Sequence, residues 1–213
     1  MIEKYYRGLQ GQPSVVNLIK RREVLVPDHF RFKSGRHSDV YFAKDRLMLH
    51  SRDLALIRGQ MVDHLRSMIQ MDQFDGFIGA AHYGIPLTAV CAVHCFEQSS
   101  ESKVMFTAEK GPQGLFIRRG LRNEIKGKRL VMLDDVLTMA TTVDEVASLV
   151  TSLGGSLIGL LALINRHPVM QESLKRLAFA DWLVTSDLPD WEATSCPLCA
   201  AGIELNMEYG HAA

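Results

Sequence analysis

The sequence predicts an α/β domain, with a mostly parallel central sheet flanked by helices and a small N-terminal hood. Three observations predict it. The apolar runs 130–133 and 157–164 have the composition of strands buried on both faces. Helical repeats lie between such runs, so strands and helices alternate. Ahead of the first such unit, residues 29–42 place aromatic residues around a Ser-Gly pair, the pattern of two strands joined by a turn.

Composition sets limits on function. A chain of 213 residues, 47% hydrophobic and 23% charged, suits one ordinary domain with ample core. Lys+Arg and Asp+Glu are both 24, so no bulk field points to nucleic acid or an anionic membrane. No apolar run is long enough to span a bilayer, and the first residues lack the apolar core of a signal peptide. A cytoplasmic location is expected, with the four cysteines reduced.

Residues 13–25 open on Pro13-Ser14 and continue as an N-terminal helix. Phe30 and Phe32 alternate with polar residues, the turn follows, and Val40-Tyr41-Phe42 forms the second hood strand. Residues 51–70 are an amphipathic helix with Leu54, Ile57, Met61, Leu65 and Met68 on one face and Ser51 as candidate N-cap. Residues 74–79 form a strand. A turn with His82, Tyr83 and Gly84 leads into the next helix, whose first turn is expected to hold Pro86 and to leave N–H groups for an anion. Cys91 and Cys95 sit one turn apart on that helix and read as core. Residues 104–107 are a strand leading to Lys110, after which Gly111, Pro112 and Gly114 mark a flexible loop and 115–120 resume extended structure.

The stretch 130–143 carries the chemistry. Its strand is expected to stop at two adjacent carboxylates, Asp134 and Asp135. A loop with Thr138, Thr141 and Thr142 follows, and from Val143 a helix repeats apolar residues at Val146, Ala147 and Val150. Acids at a strand's carboxyl end suit sugar hydroxyls or a divalent cation, and a small-residue loop before a helix suits phosphate. An ordinary βα unit fits the same residues. Strand 157–164 then ends at Arg166, whose fork suits a carboxylate. Residues 179–184 are one more short strand. The tail holds Cys196-Pro-Leu-Cys199, half of a four-thiolate metal site, with Cys91 and Cys95 as a conceivable other half; no metal ligand is assigned.

The 130–143 stretch resembles the phosphoribosyl-diphosphate (PRPP) motif of type I phosphoribosyltransferases. The resemblance implies that fold, with Asp134 and Asp135 on the ribose and Thr138, Ala140, Thr141 and Thr142 around its phosphate. It departs where the family has glycine, at Ala140 and Thr141, and Met139 also replaces a small residue. A left-handed backbone there would cost roughly 1–2 kcal/mol per non-Gly residue, about tenfold in binding. The piece Lys33-Ser-Gly-Arg-His-Ser followed by Tyr41-Phe42 resembles the orotate branch of the family. That likeness implies that Lys33, Tyr41, Phe42 and Arg166 recognise a pyrimidine such as orotate. It implies that His82, Tyr83 and Gly84 lie in the diphosphate loop and that Lys110 is the cation of a mobile lid. It further implies Mg²⁺ accompanying PRPP, and a homodimer. The likeness covers roughly residues 28–167, and the tail adds support. A transferase domain is expected over 1–187 (hood about 1–50, core about 51–187), with 188–213 as the tail. Two other readings stay open: transfer to a different base, and non-catalytic sensing of PRPP or a nucleotide.

Overall fold

Alternating burial along three adjacent apolar strands divides the core into two layers. The computed structural model of the chain describes residues 2–32, 34–138, 140–166 and 172–209. Its strands are β1 (Leu9–Gly11), β2 (Leu25–Arg31), β3 (His37–Phe42), β4 (Gly76–Ala80), β5 (Val104–Gly111), β6 (Gly114–Phe116), β7 (Arg129–Leu137), β8 (Ser156–Asn165) and β9 (Phe179–Ser186). Its helices are α1 (Glu3–Arg7), α2 (Pro13–Arg21), α3 (Asp45–Met48), α4 (Ser51–Met68), α5 (Ala81–Ser99), α6 (Thr141–Ser152) and α7 (Pro197–Ala200).

One sheet runs in the order β1-β9-β8-β7-β4-β5-β6, and β2 and β3 form a separate antiparallel hairpin, the hood. Neighbours from β9 through β5 are parallel, whereas β1 and β6 close the edges antiparallel. Successive strand residues point to opposite faces. Phe77, Val131, Leu133, Leu161 and Leu163 therefore pack with Ile57, Met61 and Leu65 of α4 and with Leu87, Cys91 and Cys95 of α5. Ile78, Leu130, Met132, Leu160 and Ala162 face the other way, onto Val143, Val146 and Val150 of α6. Each large apolar side chain buried in these layers contributes roughly 1.5–3 kcal/mol.

Several boundaries differ from expectation. Strand β7 runs through both acids to Leu137, because Asp134 and Val136 keep their parallel partners Ala162 and Ile164 on β8. Ser51 is the first helical residue of α4, and His50 is the N-cap, without a side-chain cap bond. The nearby acid, Asp53, is buried and turned instead to Arg22 and Arg21, at 2.5 and 3.1 Å. Helix α5 starts directly off β4, so Pro86 lies in its second turn and not its first. That abrupt start depends on glycine: a Cβ on Gly79 would lie 2.1 Å from the Gly84 carbonyl oxygen. The loop expected after Lys110 is a tight hairpin, with Lys110 opposite Leu115 and Gly111 opposite Gly114. The short elements α1 and β1 had no periodic signal to announce them.

The Asp53 carboxyl is pushed up by burial but held below the ordinary carboxylate range by Arg22 and Arg21. A depressed carboxyl stabilises the fold above the usual carboxylate range, and the benefit is lost as pH falls through its folded value. Asp53→Asn is expected to cost about 1.5–3 kcal/mol, roughly 3–10 °C in Tm. Thermal melts at neutral pH check this, and the gap between variant and wild type should narrow on acidification.

Candidate active site

Strand order reverses between β4 and β7: from β4 the chain moves outward to β5, and from β7 it moves outward to β8 and β9. A crevice opens at the carboxyl ends of the strands at such a reversal, and ligands of α/β sheets bind there. The ends of β4 and β7 lead into α5 and α6 at this crevice. They bring His82, Tyr83 and Gly84 to one side, and Asp134, Asp135, Thr138, Ala140, Thr141 and Thr142 to the other.

Asp134 and Asp135 are unlike neighbours. The Asp135 backbone N–H donates to Asp134 Oδ1 at 3.0 Å. The Asp135 carboxylate pairs with Lys44 Nζ at 2.6 Å. The enclosed Asp134 carboxyl is pushed well up, first by burial and then by the adjacent Asp135 charge, which Lys44 only partly relieves. Lys44 also lies 5.5 Å from the centre of the Tyr83 ring. The Tyr83 hydroxyl pKa is raised by burial and by its hydrogen bond to Asp45. Sequence reasoning missed Lys44: a lysine two residues past an aromatic pair carries no signal until β3 lays it over the end of β7.

The start of α6 keeps an ordinary backbone. Ala140 has φ −70° and is the N-cap of α6, and Thr141 and Thr142 form the first helical turn. Neither Ala140 nor Thr141 is among the positive-φ residues, which outside glycine are Glu23 and Ser100 among the described residues. The left-handed penalty therefore does not arise at Ala140 or Thr141. Met139 lies outside the described residues, as does Lys33.

On the hood, Tyr41 and Phe42 part company. Tyr41 faces Phe30 and Tyr209, each 5.5 Å between ring centres. Burial raises its hydroxyl pKa. Phe42 points the opposite way and is 4% exposed in the main core, so its ring is not presented to a ligand. The expectation that both rings face one base is corrected for Phe42, which packs in the core. Arg166 follows β8 directly, its N–H donating to the Leu137 carbonyl at 2.9 Å. Its guanidinium stacks on Phe32, 4.7 Å from the ring centre. Burial lowers its pKa, against the opposing charge of Asp190. Its Nε is buried and has no hydrogen-bond partner among the described residues. Lys110 is exposed in the edge hairpin, next to the Glu109–Arg118 ion pair at 2.6 Å. His82 is exposed in the first turn of α5. Cys91 and Cys95 are buried on the inner face of α5, and the tail thiols do not join them: Cys196 and Cys199 lie against His29 and His37 of the hood.

Known proteins resemble the chain in sequence and in fold. The chain is similar to the orotate phosphoribosyltransferase of Caldanaerobacter subterraneus, 28% identical over 194 residues that cover 90% of this chain and 93% of the relative. The enzyme of that name from Thermus thermophilus is 27% identical, covering 90% and 97%. No family model matches the chain. Among solved structures, an orotate phosphoribosyltransferase from Aeropyrum pernix aligns with a TM-score of 0.60 at 23% identity, over 79% of this chain and 90% of that one. An adenine phosphoribosyltransferase from Thermoanaerobacter pseudethanolicus aligns at 0.58 and 15%, over 85% and 98%. The fold is that of the type I phosphoribosyltransferases. In this fold the acids and the helix-opening threonines lie at the carboxyl end of β7, and Lys44 pairs with Asp135 there.

A raised carboxyl costs stability as pH climbs from the ordinary carboxylate range through the folded value, because the native state then holds a proton that the unfolded chain releases. Asp134→Asn removes that cost. The variant is expected to melt higher than wild type at pH 8 and to match it near pH 4, as thermal melts across the range will test.

Proposed function

We propose that the chain is an orotate phosphoribosyltransferase, transferring phosphoribose from PRPP to orotate to give orotidine 5′-phosphate and diphosphate. The observation that supports this reading is the Asp135–Lys44 pair at the end of β7 together with the Arg166 guanidinium stacked on Phe32 of the hood, its Nε buried and without a hydrogen-bond partner among the described residues. The relatives named above, alike over nine-tenths of the chain, support it.

In the proposed reaction the bond from the anomeric carbon to the diphosphate oxygen breaks and the diphosphate leaves with the electron pair, the base nitrogen then bonds to that carbon, and the proton of that nitrogen passes to the diphosphate or to water. The ring carbon becomes cationic between these events, so positioning and charge stabilisation suffice and no protein nucleophile is needed. Asp135, held by Lys44, and the enclosed Asp134 accept hydrogen bonds from the ribose hydroxyls. Thr138, Thr141 and Thr142, together with the backbone N–H groups of the first turn of α6, receive the 5-phosphate. Tyr41 offers its ring to the flat pyrimidine, and Arg166 its fork to the orotate carboxylate. Lys33 joins that recognition. His82, Tyr83 and Gly84 border the diphosphate, and Lys110 closes over it on the β5–β6 hairpin. Mg²⁺ is bound with PRPP as part of the substrate, neutralising the departing diphosphate; magnesium needs only one or two carboxylates beside phosphates, which the acidic pair can supply.

The proposal extends to a homodimer acting in pyrimidine biosynthesis in the cytoplasm. It divides the chain into a transferase domain over about 1–187 and a tail over about 188–213. Among the described residues no helix is long and apolar enough to cross a membrane.

Orotate consumption, followed by ultraviolet absorbance with PRPP and Mg²⁺, tests the reading. Wild type is expected to turn over, and Asp134→Asn/Asp135→Asn to lose at least about 100-fold in kcat/KM. Turnover with another base and not with orotate would select a different acceptor. PRPP binding without turnover on any base would select a sensor. Arg166→Ala is expected to raise KM for orotate about 10–100-fold while leaving KM for PRPP nearly unchanged; equal effects on both would remove Arg166 from the base site.

A further inference from the structure

The hood and the tail bring together four side chains with metal-ligand chemistry. His29 from β2, His37 from β3, and Cys196 and Cys199 from the start of α7 place one ligand atom each within 4.8 Å of all the others. His29 Nε2 is 3.0 Å from His37 Nδ1, 3.5 Å from Cys196 Sγ and 3.7 Å from Cys199 Sγ, and Cys199 Sγ is 3.3 Å from His37 Nδ1. Zinc bonds of about 2.0–2.1 Å to nitrogen and about 2.3 Å to sulfur give tetrahedral edges of about 3.4 Å (N···N), 3.6 Å (N···S) and 3.8 Å (S···S). The four separations given lie within about 0.4 Å of those edges, and the ligand atoms of all four residues stay within 4.8 Å of one another.

Hydrogen bonding alone does not account for the cluster. His29 Nδ1 lies 2.7 Å from the Ile203 carbonyl oxygen, an acceptor only, so Nδ1 carries the proton and Nε2 presents a single lone pair. Three polar atoms crowd that one lone pair. A cation at the centre of the four would satisfy them all, and a backbone carbonyl on the far ring nitrogen is the outer partner that orients metal-bound histidines. His29, His37 and Cys196 are buried, while Cys199 is exposed and offers a path of entry. All four cysteines of the chain are free, so no disulfide competes for these sulfurs.

We propose that His29, His37, Cys196 and Cys199 form a structural zinc site that staples the C-terminal tail to the hood. Four protein ligands leave no open position, which marks a structural and not a catalytic metal. The ligands come in two pairs, one from each partner of a docked surface. Trp191 and His37 exchange backbone hydrogen bonds at 2.8 Å, and the Asn206 N–H donates to the His29 carbonyl at 2.7 Å. The site thus lies between two backbone attachments of the tail. The inference is independent of the transferase reading.

The test is metal analysis of the full chain, purified in reductant and exchanged into Zn²⁺ or Co²⁺. One equivalent per chain is expected, with the visible bands of tetrahedral Co²⁺ and a thiolate-to-cobalt charge-transfer band. Cys199→Ser and His37→Gln should each lose most of that metal, whereas Cys91→Ala should keep it. Chelation is expected to lower Tm by about 5 °C or more and to expose the tail to protease, both reversed by Zn²⁺. Wild-type chain that holds well under one equivalent after loading overturns the proposal. So does a full equivalent that neither ligand variant reduces, or a Co²⁺ spectrum without thiolate charge transfer.

Discussion

The reversal of strand order between β4 and β7 is the constraint on which the rest of the molecule depends. Parallel strands send their helices to opposite faces on either side of that point, so α5 and α6 diverge and their first turns border the same opening. The divergence is made possible by backbone contact between β4 and α5. Gly79 and Gly84 approach so closely that a Cβ on Gly79 would collide with a carbonyl oxygen. A Cβ on Gly84 would sit 3.0 Å from the carbonyl oxygen of Leu133, the residue before the acidic pair. The spacing that sets the floor of the crevice is therefore a spacing between backbones.

Onto that floor the chain loads charge that a stable core would avoid. Two adjacent carboxyls at the end of an apolar strand repel each other, and burial adds to the cost. The structure divides the burden: Asp135 takes Lys44 as its partner, and Asp134 is driven toward its neutral form. Arg166 shows the same economy on the opposite wall, with a stacked face on Phe32 and a buried Nε that nothing described satisfies. Groups held in such conditions are a charge for the fold and a resource for binding.

The hood is held from both ends. Its outer end is tied to the tail through Arg36, which pairs with Asp190 at 2.8 Å and also with Glu192, and through the strand-like exchange of His37 with Trp191. Its inner end presents Tyr41, over which the tail lays Tyr209, whose hydroxyl accepts from Arg46 at 3.2 Å. The cluster of two histidines and two cysteines lies within this docked surface. The tail thus reaches Tyr41, and anything that secures the tail also secures that contact.

The sequence by itself determined the α/β class, the order of the main strands and helices, the acidic pair and the strand-end arginine. These are local matters: apolar runs and 3.6-residue repeats mark buried elements, and two acids at the end of a strand stand out against an apolar background. Tertiary structure alone decided the rest, because it concerned partners distant in the chain. Lys44 joined the acids only when the chain after β3 brought it within 2.6 Å of Asp135. Tyr41 and Phe42 were separated by the pleat, which sends neighbours to opposite faces whatever their likeness. Ala140 proved compatible with its loop because α6 begins there with an ordinary backbone angle. Half of a metal-ligand set was visible as Cys196 and Cys199, but its other half lay some 160 residues earlier, in two histidines that only the docking of tail on hood brings within reach.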